Sequence, residues 1–356
     1  MSKSNLLFSK KLILWYLEHK RELPWRTTNE PYFIWLSEII LQQTRVAQGL
    51  PYYKAFISEF PTIKDLANAP EEKVLKLWQG LGYYSRARNL HFTSKYISEE
   101  LNGVFPVNYK DLLKLKGVGD YTASAIASIC FNEPAAVVDG NVYRVLSRYF
   151  GIVTPINSTQ GIKEFKALAQ ELLDISQPGI YNQAIMEFGA RYCKPQNPDC
   201  ISCIFNDKCV AFQKKMVSEL PVKLKKLKVK KAYFNYLVLL SEDNKTILQQ
   251  RTQKGIWKQL YEFPLIETLN ETEIEKFQQL EEFKELSKEN GITSIVLYNE
   301  KSIIHKLSHR HLHTRFWIAE SSKLNSKSIP INTINKYPVP VLIEKFINSF
   351  FKLNSS

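Results

Sequence analysis

Four cysteines, Cys193, Cys200, Cys203 and Cys209, fall within seventeen residues, with six, two and five residues between them. Four thiolates from one loop can ligate a single metal centre. Uneven gaps with a long first spacer suit a 4Fe–4S cube. Structural zinc sites more often show two C-x2-C pairs, and only Cys200 and Cys203 have that spacing. A disulfide knot is the third reading, and the absence of a secretory signal in Met1–Lys20 weighs against it. The fifth cysteine, Cys130, lies in the apolar run Ala123–Phe131 and reads as a small core side chain.

Two carboxylates stand in unusual company. Glu38 sits mid-helix in the otherwise apolar stretch Trp35–Leu41. A carboxyl in such surroundings keeps its proton more readily. The helix pattern alone also allows an ordinary surface glutamate. Asp139 follows the apolar run Ala135–Val138, in an Asp-Gly-Asn turn before a helix. The commonest role for Asp at such a place is an N-cap.

The elements that must position these groups divide by texture. Residues 1 to about 212 read as successive helices, with periodic apolar positions through Leu12–Leu17, Ile34–Leu41, Val74–Trp78, Tyr121–Ile129 and Val142–Phe150. Within them, Leu112–Ala125 reads as a helix ending at Lys116, a turn Gly117-Val118-Gly119, and a new helix near Asp120. Glycines let the backbone approach another group closely, and the second helix's N-terminus is suited to a DNA phosphate. A basic run follows, Lys223–Lys231, with six lysines in nine residues. It reads as a solvated linker that can also meet phosphate. Beyond it the chain is β-rich. Strands are expected at Tyr233–Leu240, Thr246–Arg251, Ser294–Tyr298 and Thr314–Ala319, with a charged helix over Thr272–Lys288. That half is an α+β domain.

Bulk properties agree with a multi-domain globular chain. There are 356 residues, 44% of them hydrophobic, and no stretch approaches the roughly 20 apolar residues of a membrane span. The net charge of +13 and the pI of 9.3 favour a polyanion, nucleic acid first and an anionic membrane surface second. We expect a reducing, cytoplasmic setting, a monomer, and no membrane partner.

Several segments recur in one order: Leu23–Arg26, Trp35–Thr44, Gly80–Tyr84, the glycine hairpin, Val138–Val142, the four cysteines, Gly255–Pro264 and Leu307–His309. In this the chain resembles the helix-hairpin-helix superfamily of base-excision DNA glycosylases, and within it the MutY-type adenine DNA glycosylases. The resemblance implies an all-α helix-hairpin-helix catalytic domain with a 4Fe–4S loop over residues 1–212. A basic linker over 213–232 and a Nudix-like domain over 233–352 would follow. It implies removal of adenine mispaired with 8-oxoguanine or guanine in duplex DNA, in a bacterial cell close to the nucleoid.

On this resemblance Glu38 protonates the adenine leaving group and then helps activate water. Asp139 stabilises the cationic sugar, and Asn141 orients it. The cluster ligands are Cys193, Cys200, Cys203 and Cys209. Gly117, Gly119 and Tyr121 belong to the DNA-binding hairpin, Gln43 and Tyr83 to the wedge and stacking positions, and Arg26 to the adenine pocket. Ser308 and His309 contact 8-oxoguanine. Endonuclease III-type relatives carry a lysine where Tyr121 stands. Tyrosine cannot form a Schiff base, so base removal without strand cleavage is expected. Tyr143 occupies a place where some bacterial relatives have lysine, and Leu307 one where phenylalanine is common. The Nudix hydrolase box is not recognisable.

The histidines at 305, 309, 311 and 313 could by their density bind metal. No cysteine or carboxylate lies in that run, which favours the reading the resemblance implies, a β-hairpin loop in which Ser308 and His309 contact 8-oxoguanine. Two competing functions are a pyrimidine glycosylase/lyase, opposed by Tyr121, and a non-enzymatic iron-sulfur DNA binder, opposed by the two carboxylates.

Overall fold

The computed structural model describes residues 3–224 and 229–351. Lys225, Lys226 and Lys228 of the basic run therefore lie outside the described residues. The chain forms two compact units, one of residues 1–68 with 89–226, the other of residues 69–88 with 227–356. Residues 69–88, within the helical half by sequence, are thus built into the second unit. The reason is local. Gln79 holds both Glu344 and the Val339 N–H, and Tyr84 donates to Val339 O.

The first unit is helical. Several of its helices start where the sequence supplies a cap or a proline. Pro31–Leu41 and Pro178–Arg191 have proline in the first turn, Gly140–Phe150 is capped by Asp139, and Thr159–Leu172 by Ser158. Pro178–Arg191 lies against Lys3–His19, Asp120–Phe131 and Gly140–Phe150, and Pro31–Leu41 lies against Asp120–Phe131. The core joins Phe8, Leu12, Trp15 and Tyr16 to Val142, Leu146, Phe165, Phe188 and Phe205. Cys193, Cys203 and Cys209 pack on its edge. Before the hairpin the regular helix is only Tyr109–Leu112, and turns carry the chain on to Lys116.

The second unit is built on a sheet in the order Leu265–Thr268, Lys230–Ser241, Arg310–Ser321, Ile292–Leu297, and Ile303–Lys306 also pairs with Arg310–Ser321. The two long strands run parallel from Lys230↔Arg310 to Ser241↔Ser321. Both are buried through their middles, so neither shows a polar face. One face packs Leu237, Leu239 and Trp317 against Phe277 and Phe283. On the other, Phe316 stacks on Phe346 of the Val341–Phe350 helix at 4.0 Å. The Leu265–Thr268 and Ile303–Lys306 strands were not expected from sequence, and the charged helix is broken into Ile274–Gln278 and Glu281–Asn290.

Candidate active site

Glu38, Tyr121 and Asp139 come from three elements and meet in the first unit. Burial pushes the Glu38 carboxyl up to about 7, opposed by a hydrogen bond from Tyr121 and by Arg26, and reinforced by the nearby Asp139 charge. The Tyr121 hydroxyl also lies 3.0 Å from Met186 Sδ. It has one proton to give, and the carboxylate is the stronger acceptor. Burial first, then Glu38 and Asp139, hold the phenol well above its ordinary range.

Asp139 is an N-cap, as its position alone suggests. Its Oδ1 accepts the Asn141 and Val142 N–H groups at 2.8 Å each, and its Oδ2 accepts the Asn141 amide at 2.7 Å. Burial raises its pKa, and these bonds and Arg144 oppose the rise. The extended run before it is fixed by Asn182. That fully buried amide accepts from Val137 N and donates to Ala135 O. Close approach also matters at Gly189, where an added Cβ would sit 2.7 Å from Asn141 Cβ.

Two groups here were missed by sequence reasoning. Glu187, almost wholly buried, accepts from Arg21 Nε (2.7 Å) and Nη2 (2.6 Å) and from Arg26 Nη2 (2.7 Å). Burial alone would raise its pKa, but the two guanidinium groups overcome that and hold it at about 2. Arg26 is therefore pinned within electrostatic reach of Glu38. Arg144 donates to Asn141 Oδ1 (2.9 Å), Gly189 O (2.7 Å) and Cys193 O (2.7 Å). One guanidinium thus joins the Asp139 orienter to the cysteine loop. A charged side chain on an amphipathic helix gives no sequence signal for either role.

The four cysteines line one cavity with Arg148 and Tyr192. None of them is in a disulfide. Burial pushes Cys203 up to about 12. Arg148 braces the loop, donating to Lys194 O at 2.7 Å and approaching Cys193 Sγ at 3.4 Å. Among the described residues no three His, Cys, Asp or Glu side chains converge closely enough to hold one metal ion, the histidine run included.

In the hairpin, Gly117 has φ +83, and an added Cβ would meet Asn89 Cβ at 2.8 Å. Gly119 caps the Asp120–Phe131 helix, and both glycines are exposed while Val118 is buried. Asp120, the helix's first residue, is paired with Lys166 and accepts a hydrogen bond from the Tyr109 hydroxyl. Gln43 is exposed in a turn just past the Pro31–Leu41 helix, with φ 55. In the second unit, Ser308 and His309 are exposed at the tip of a tight hairpin closed by Leu307 N–H to Arg310 O. Tyr83, half exposed, meets Ser308.

Residues 36–173 match the profile of the HhH-GPD superfamily of base excision DNA repair proteins, and residues 235–349 match that of the NUDIX domain. An adenine DNA glycosylase of Buchnera aphidicola subsp. Schizaphis graminum (strain Sg) is 37% identical over 311 residues, 86% of this chain and 86% of its own. A second, from Buchnera aphidicola subsp. Acyrthosiphon pisum (strain APS), is 33% identical over 356 residues, 97% of this chain and 98% of its own. Among solved structures, a thermostable thymine-DNA glycosylase covers 60% of this chain and 98% of its own, with 30% identity and a TM-score of 0.55. Its fold, its paired domain matches and its full-length likeness together place the chain in the adenine DNA glycosylase family, within the helix-hairpin-helix base-excision repair proteins.

Proposed function

We propose that this chain hydrolyses the N-glycosidic bond of adenine paired opposite 8-oxoguanine or guanine in duplex DNA, leaving an abasic site. The observation that carries the reading is Glu38, a carboxyl near 7 within the electrostatic reach of Asp139. Bond cleavage through an oxocarbenium-like sugar needs an acid for the leaving base and an anion beside the sugar. Glu38 supplies the proton. Asp139, held by Asn141 and two backbone N–H groups, supplies the anion.

Each remaining residue has a part in this reading. Extruding the base costs a few kcal/mol, and Gln43 fills the gap it leaves. Arg26, fixed by Glu187, lines the adenine pocket. Gly117, Gly119 and the first turn after them bind phosphate. Tyr121 carries no amine, so no Schiff base forms and the strand stays intact. Tyr83, Ser308 and His309 read the opposite base. Along the sequence the operative division is a catalytic part over 1–212, a linker over 213–232 and a reading domain over 233–352, with residues 69–88 of the first part built into the second unit. The enzyme acts as a monomer beside the nucleoid.

The donor set fits a 4Fe–4S cluster held by Cys193, Cys200, Cys203 and Cys209. Four thiols lining one cavity, with six, two and five residues between them in sequence, suit a cube with four separate irons. Bound there, it supplies a cross-link of the loop and a one-electron centre.

The test uses A:8-oxoG, thymine-glycol and undamaged duplexes, each with and without hot alkali. Breaks only after alkali and only for A:8-oxoG support the proposal. Breaks without alkali favour a lyase, and no breaks favour a binding protein.

A further inference from the structure

The hairpin that carries Ser308 and His309 is surrounded by cations that the strand register lines up. Ile303–Lys306 and Lys230–Ser241 flank Arg310–Ser321 on its two sides. Lys231, His311 and Lys306 therefore stand side by side on one face, across three strands. On the other face Lys230 lies beside Arg310. The backbone of Lys230 also bonds His309 O, which brings this end of the strand to the tip. Lys230, Lys231 and Lys306 are exposed, and Arg310 and His311 are half-buried.

Among the described residues no carboxylate forms an ion pair with this row. Glu271 and Glu273 are engaged further along the strand by His313 and Arg315. Like charges side by side on a ladder are destabilising. A polyanion relieves that repulsion, and its groups should repeat on the scale of the row. Three strands at about 4.8 Å span about 10 Å. One DNA strand carries a phosphate for about every 3.4 Å of axis, so two or three phosphates face the row. The planar groups at the tip, His309 and the Tyr83 ring that bonds Ser308, suit a base rather than a lipid headgroup.

We propose that Lys230, Lys231, Lys306, Arg310 and His311 bind the phosphates of the DNA strand opposite the target adenine, and so seat the Ser308-His309 tip on the base it inspects. This rests on the reading of that tip given above. The test compares the full-length protein with its Lys231→Gln/Lys306→Gln and Lys231→Arg/Lys306→Arg variants. Fluorescence anisotropy follows binding to A:8-oxoG and A:T duplexes over a range of salt. For the glutamine pair we expect weaker binding to both duplexes by a similar factor. The slope of log K against log salt should become shallower by about 2, since each phosphate contact contributes about 0.9. The arginine pair should keep the wild-type slope. Thermal melting should show the glutamine variant equal to or above wild type, because a repulsion has gone.

An unchanged slope overturns the proposal. So does a loss confined to the A:8-oxoG duplex, which would make the lysines base readers. A lowered melting point with an unchanged slope would make them structural. Loss of binding to phosphatidylserine vesicles with duplex binding intact would assign the row to a membrane. Failure of wild type to prefer A:8-oxoG would sink the 8-oxoguanine reading but leave the slope comparison intact, so the two failures are distinct.

Discussion

The Tyr83 hydroxyl lies 2.6 Å from Ser308 Oγ, although 225 positions separate them in the chain. Both belong to the second unit. Tyr83 has φ 48, a conformation few side chains adopt. It is held by the Trp78 indole, which donates to Gly82 O at 3.0 Å, and by the Arg86 guanidinium over its ring at 5.8 Å. One hydrogen bond therefore ties Tyr83 to the Ser308-His309 tip.

Removing either end of that bond should have the same consequence. Tyr83→Phe and Ser308→Ala each keep the neighbouring surface but lose the contact. A bond of about 0.5–1.5 kcal/mol corresponds to roughly a three- to tenfold loss of preference for 8-oxoguanine over guanine. The double variant should be no worse than either single one. Single-turnover rates on A:8-oxoG and A:G give the ratio, and additive losses would show that the residues act separately.

Excision should fall as pH rises through about 7, tenfold per unit, because Glu38 must carry a proton. The stability consequence has the same sign. Burial raises the folded-state pKa above the ordinary glutamate value, so stability is lost as pH rises from that value to about 7. Glu38→Gln should abolish excision, leave duplex binding, and stabilise the fold at pH 8 by up to about 3 kcal/mol. Chemical denaturation at pH 5 and pH 8 checks this, and wild-type excision in the variant would remove Glu38 from the reaction.

Glu187 should behave in the opposite way. Its pKa is depressed, so the stability it contributes is present above the ordinary glutamate value and lost as pH falls through about 2. Glu187→Ala leaves Arg21 and Arg26 without their partner and should cost about 3–5 kcal/mol near neutrality. Denaturant midpoints measured from pH 7 downward should converge with wild type in acid. A constant gap would mean that packing, not charge, is what the residue contributes.

Arg144 links two features that are distant in sequence, the Asn141 amide and the Cys193 carbonyl. Arg144→Gln should slow excision and make iron easier to remove by chelation, both together. Visible absorption and iron content follow the cluster, and single-turnover rates follow the site. Slower excision with full iron retention would confine Arg144 to the catalytic side.

The candidate site residues were picked out by local patterns. The cysteine spacing, the glycine hairpin, Asp139 before its helix and the apolar run around Glu38 are all short-range signals. Helices with caps or a leading proline were readable for the same reason. Short edge strands such as Ile303–Lys306 were not, since they exist only by pairing with Arg310–Ser321. The broken helix after residue 272 shows how composition identifies a helix but not its interruptions.

The residue types along the chain determined which chemistry is available: thiols for a cluster, two carboxylates, and a phenol in place of an amine. Tertiary structure alone decided the values at which they work. The Glu38 carboxyl is raised to about 7 because helices from distant segments bury it near Tyr121 and Asp139. Glu187 is an anion because two arginines reach it from the far end of the helical unit's sequence. Residues 69–88 belong to the second unit because Gln79 and Tyr84 bond to residues near 340. Proton affinity and hydrogen bonding depend on neighbours in space, and a linear pattern records only neighbours in sequence.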